Sequence, residues 1–149
     1  GRGREMKIEN EKLFTVTVYH KLKNNNNGQT KHWSSSAAER KRWMKALDSA
    51  DVETETGLHF SVREFIDEVL CGEPVQQRVG IQVERCLGPR ERHWDADSIL
   101  RGSAKQLIDS LVEVGFLTDD NTQHIVWAVG TQSSERSEES HVRVTFYGA

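Results

Sequence analysis

Apolar and polar residues alternate from Lys12 to His20, with Phe14, Val16 and Val18 on one side, which predicts a half-buried strand. The asparagine-rich KNNNNGQTKHW that follows breaks this period and reads as a loop. Over Ser34–Ser49 the spacing turns helical: serines offer an N-cap, and Trp43 and Leu47 share a face four residues apart. Ser61-Val-Arg-Glu64 matches a capping box and predicts a short helix with Phe65, Val69 and Leu70 on its apolar face, ended by Gly72 and Pro74. Alternation returns at Val79, Ile81 and Val83 within Val75–Leu87, and Gly88-Pro89 then breaks the chain. From Asp97 or Ser98 to Val114, the residues Ile99, Leu100, Leu107, Ile108, Leu111 and Val112 recur at helical spacing, with Gly115 as the stop. Ile125–Val129 and His141–Tyr147 read as the last strands, joined by a polar, acidic loop over Gly130–Ser140. The order β-α-(α)-β-α-β-β predicts an α+β domain with helices packed on a small mixed sheet.

A length of 149 residues fits one domain, 1–149, with a core that needs no staples. The first eleven residues read as a flexible start or a cloning remnant, with Met6 as an alternative initiator. No apolar run approaches the ~20 residues that cross a bilayer, and no secretory pattern opens the chain. Cys71 and Cys86 have neither CxxC spacing nor a disulfide framework, so a reduced, cytoplasmic protein is expected.

The net charge of −3 argues against a generally basic nucleic-acid binder, but the charges are uneven. Lys21, Lys23, Lys31, Arg40, Lys41, Arg42 and Lys45 fall close together, opposed there by Glu39 alone. Arg85, Arg90 and Arg92 form a second basic group just before two aspartates, Asp95 and Asp97. Such local fields bind phosphate even where the whole is weakly acidic.

Asp95 and Asp97 each admit two readings. One aspartate before a helix is a favoured cap, and Asp119-Asp120 after it is ordinary turn chemistry. If the segment Phe116–Asp120 turns back along the helix, the two pairs can instead converge. Several carboxylate oxygens with open water positions suit Mg²⁺, a hard ion that takes phosphate oxygens as its remaining ligands. The histidines are scattered, and no thiolate or His cluster favours zinc.

The ordered series Asp95-Ala-Asp97, Lys105-Gln-Leu-Ile-Asp109-Ser-Leu, Gly115-Phe116-Leu117-Thr118 and Asp119-Asp120 resembles the RusA-type Holliday-junction resolvases. The early strand, polar loop and helix add a weaker likeness. The resemblance implies an Mg²⁺-dependent endodeoxyribonuclease, active as a homodimer, that cuts opposed strands of a four-way DNA junction in recombination and repair. It places the metal ligands at Asp95, Asp97 and Asp120, with Asp119 adjacent, and the essential lysine at Lys105. Where the family has asparagine after the second aspartate, this chain has Ser98. About one extra helical turn separates Asp97 from Lys105, so Arg101 competes for the cationic role. Lys21, Lys23, Lys31, Arg40, Arg42 and Arg101 are the expected DNA-phosphate contacts. Trp33 is a candidate stacking wedge or a core residue. The alternatives are a nuclease of the same fold acting on other branched DNA and a non-catalytic DNA-binding or assembly protein.

Overall fold

The computed structural model describes residues 8–23, 33–95, 98–101, 103–119 and 121–149, with side chains described from Ala37 onward in the first helix. Strand β1 (Lys12–Val18) leads to helix α1 (Trp33–Leu47), then a hairpin of β2 (Asp51–Thr54) and β3 (His59–Ser61). A short helix α2 (Val62–Glu64) continues as a π turn over Phe65–Val69. Strand β4 (Val79–Cys86), helix α3 (Ala104–Val114), β5 (Ile125–Gln132) and β6 (His141–Gly148) complete the order. The six strands form one mixed sheet in the order β3-β2-β1-β6-β4-β5, in which β4–β5 is the one parallel pairing of neighbours. The α+β expectation holds; the β2–β3 hairpin is an addition to it.

The core explains why the alternating stretches became strands. Phe14, Val16 and Val18 on β1, Val79, Ile81 and Val83 on β4, and Val142, Val144 and Phe146 on β6 are buried together against α1 and α3. Trp43 and Leu47 seat α1, and Leu107 and Leu111 seat α3, as their spacing predicts. Phe14, Phe65, Phe116 and Phe146 form one aromatic knot, with Phe14 and Phe146 stacked at 4.5 Å.

The capping box is present in both directions: Glu64 N–H donates to the Ser61 hydroxyl at 3.2 Å, and Ser61 N–H donates to the Glu64 carboxylate at 3.1 Å. The apolar face of that helix differs from expectation. Leu70 N–H bonds the Phe65 carbonyl, five residues back, and this wider turn shifts the later side chains by one position. Ile66 therefore packs on the core while Val69 stays exposed.

Helix α3 also starts later than its periodicity predicts. Ser98 and Arg101 N–H bond the carbonyls of Asp95 and Ser98 in successive tight turns, and the cap position of α3 is Ser103 rather than Asp97 or Ser98. Ile99 is nevertheless fully buried because it lies over Gly130 of β5, where a Cβ would stand 2.5 Å from the Ile99 Cβ. A residue buried by a neighbouring strand thus imitates a helix position. At the far end Gly115 takes a left-handed conformation and Phe116 N–H reaches back to the Leu111 carbonyl, a Schellman stop.

Candidate nucleic-acid interface and carboxylate loop

Strands β1, β4 and β5 run in the same direction, since β6 is antiparallel to both β1 and β4 while β5 is parallel to β4. Their carboxyl ends therefore share one pole of the sheet, where the loops after all three strands meet. The start of α3 is fixed there too: Lys23 N–H donates to the Ser103 hydroxyl at 2.8 Å, and Ser103 N–H donates to the Lys23 carbonyl at 3.1 Å. Carboxyl ends of strands flanking a crossover helix are where open α/β units ordinarily hold ligands.

A cleft of about 500 Å³ opens at this pole, lined by Lys21, Lys23, Arg85, Arg90, Arg92 and Trp94, with Glu91 as its acid. Glu91 is nearly enclosed; Lys21 approaches it at 3.4 Å and Arg85 at 3.7 Å. Burial works to raise its carboxyl, but the Gly88 N–H, Ser140 and the charges of Arg85 and Lys21 outweigh that and hold it low. Arg85 is itself lowered by burial, against the pull of Glu91. Its guanidinium lies 3.8 Å from the centre of the Trp94 ring and donates to the Arg92 carbonyl and the Gln132 side chain.

A second buried acid organises the other wall. Glu39 of α1 accepts from His20 at 3.0 Å and Arg42 at 3.1 Å, and pairs with Lys23 at 3.2 Å. Burial pushes its carboxyl up, yet these hydrogen bonds and charges prevail and hold it below the usual carboxylate range. His20 also meets the buried Trp43 ring edge-on. Glu39 thereby ties the segment that carries Lys21 and Lys23 to α1.

Of the residues singled out from the sequence, the structure gathers Lys21, Lys23, Asp95, Arg101 and Lys105 at or beside this pole. Asp95 follows Trp94 directly and is exposed, and Lys105 stands in the first turn of α3, paired with Asp109 at 3.0 Å. Arg42 is engaged with Glu39. Arg40 is elsewhere: it braces α1 against α3 through Glu113 at 2.8 Å. Asp97, Asp120 and Lys31 lie outside the described residues, as does the side chain of Trp33.

Asp119 is not brought to Asp95 within one chain. Trp94 is clamped to Gln132 at the end of β5, whereas Asp119 accepts from Asn121, whose carbonyl binds Ile125 at the strand's start. The eight residues of β5 put roughly 20 Å between those anchors. The return stretch is Ile125–Gln132, not Phe116–Asp120, so the residue delivered beside Trp94 and Asp95 is Gln132. Its 38-residue separation from Trp94 carries no local signal; the parallel register Arg85↔Gln132 creates the contact.

Among the described residues no group of three or more His, Cys, Asp or Glu side chains converges as a metal site, and no helix is long and apolar enough to cross a membrane. No protein-family model matches the chain, and no curated protein matches it.

Proposed function

We propose that the protein is an Mg²⁺-dependent endodeoxyribonuclease of the RusA-like type, cutting branched DNA with the four-way junction as its substrate. The observation that carries the proposal is the placement of Asp95 beside a basic cleft, at the pole where Lys21, Lys23, Arg85, Arg90, Arg92 and Lys105 also collect.

Carboxylate oxygens such as those of Asp95 and Asp97 suit Mg²⁺, with phosphate oxygens and water supplying the remainder; Asp97 and Asp120, the other ligands the resemblance implies, lie outside the described residues. When bound, the ion would polarise the phosphodiester and lower the pKa of an attacking water. The chain's own part is positional and electrostatic. Lys21, Lys23, Arg90 and Arg92 seat flanking phosphates, and Lys105 or Arg101 neutralises charge that grows on the cleaved phosphate. In this reading Asp119, tethered near the start of β5, is not among the ligands that act with Asp95 of the same chain. Two copies related by a two-fold axis would present equivalent sites to opposed strands of a junction. Free Cys71 and Cys86 suit a reducing, cytoplasmic setting.

The test is cleavage of labelled four-way, flap and linear duplex DNA, with and without Mg²⁺, by wild type and Asp97→Asn. The proposal expects metal-dependent cutting of the four-way junction that Asp97→Asn loses. Preferential cutting of the flap would shift the substrate to other branched DNA. Tight junction binding with no cutting in any metal would leave a DNA-binding protein instead.

A further inference from the structure

The cleft contains a feature that phosphate binding does not require. Trp94 is held from both sides of its backbone by one amide: its N–H donates to the Gln132 Oε1 at 2.8 Å, and the Gln132 Nε2 donates to its carbonyl at 2.9 Å. The same Gln132 oxygen accepts from Arg85 at 2.9 Å, which fixes the guanidinium against the indole. Arg85 is 3% exposed, while Trp94 is only half-buried and lines the cleft. The accessible part of this stacked pair is therefore the indole, with its cation packed underneath. Arg85 Nε is buried without a hydrogen-bond partner among the described residues, while the Glu91 oxygen beside it is held by charge, from Lys21 at 3.4 Å and from Arg85 at 3.7 Å.

We infer that Trp94 is a stacking seat for an unpaired nucleobase, next to the carboxylate loop. An aromatic residue clamped by its backbone, packed partly on the core and on Arg85, and lining a 500 Å³ cleft among cations matches the way single strands are held without sequence readout: bases on aromatic faces, phosphates on Lys and Arg. Lys21, Lys23, Arg90 and Arg92 provide the phosphate contacts around it. The inference rests on the nucleic-acid reading of this pole and sharpens it: the strand enters the site with at least one base out of its duplex stack, as strands do at a junction. Gln132 is a positioning residue for the seat, acting through Trp94.

The experiment compares two labelled single-stranded oligonucleotides of equal length and charge, one bearing thymine bases and one abasic, in EDTA, by fluorescence anisotropy. Wild type should bind the thymine strand at least about fivefold more tightly, the lower end for one stacked base. Trp94→Leu should lose that preference while still binding the abasic strand, and Trp94→Phe should keep most of it. Equal binding of both strands by wild type, or no binding of either, overturns the seat, and this comparison requires no variant to fold. Retention of the preference by folded Trp94→Leu overturns it as well. If junctions are not cut but the thymine preference stands, the nuclease proposal fails and the seat survives; cutting without the preference gives the reverse.

Discussion

Replacing Glu39 with glutamine removes one charge from a buried position and changes almost no volume. Glu39 is 6% exposed and serves His20, Lys23 and Arg42, whose side chains are 20%, 46% and 53% exposed. Hydrogen bonds to a charged group are worth roughly 1.5–3 kcal/mol when enclosed. The two most exposed partners are screened by water and contribute about 0–1 kcal/mol each, and the carboxylate itself is costly to bury. The expected loss for Glu39→Gln is therefore about 1–3 kcal/mol, or ~3–10 °C in Tm for a domain of this size. The pH dependence separates this cause from simple repacking. The Glu39 carboxyl is lower in the folded protein than its ordinary 4.5, so its stabilisation is complete above that value and disappears as pH falls through the folded value. Thermal melts of wild type and Glu39→Gln should differ most at pH 7, and the gap should narrow steadily as the pH is taken below 4.5. A gap that keeps the same size as the pH falls would refute the electrostatic account, and no gap at pH 7 would refute the role of Glu39 altogether.

Gly80 admits no side chain, because a Cβ there would stand 1.9 Å from the Trp127 ring. Gly80→Ala should cost about 1–3 kcal/mol in urea unfolding, and the loss should shrink in Gly80→Ala/Trp127→Leu; additive losses would show that the contact is not the cause. The Cys86 thiol is pushed up to about 12, by burial first and by Glu84, while Cys71 is exposed. A thiol reagent at pH 8 should thus label Cys71 rapidly and Cys86 only after unfolding; rapid labelling of both in the native protein would contradict the burial of Cys86.

The sequence pattern exposed those elements whose burial is one-sided. Strand β1 and helix α1 show their period because one face meets the core and the other meets water. The β2–β3 hairpin was not legible, since Val52 is the only fully buried residue in either strand and a two-residue period needs more than one point. The start of α3 misled for the opposite reason: Ile99 is buried by Gly130, a contact with no local trace. The basic group Arg85, Arg90 and Arg92 was visible as charge, but its closure into a cleft with Lys21 and Lys23 depends on β1 and β4 sharing a direction. The distance between Asp95 and Asp119 depends on where β5 begins: the turn over residues 121–124 leads into that strand at the end opposite Trp94, a placement no local pattern shows.

The central claim, that chemistry belongs to the carboxyl-end pole, is tested most directly by Mg²⁺-dependent cutting of one labelled four-way junction by wild type, Asp95→Asn and Asp119→Asn, each shown to be folded by its thermal melt. The account predicts that wild type and Asp119→Asn cut at similar rates while Asp95→Asn does not cut. Loss of cutting in Asp119→Asn, or full activity in Asp95→Asn, would contradict it.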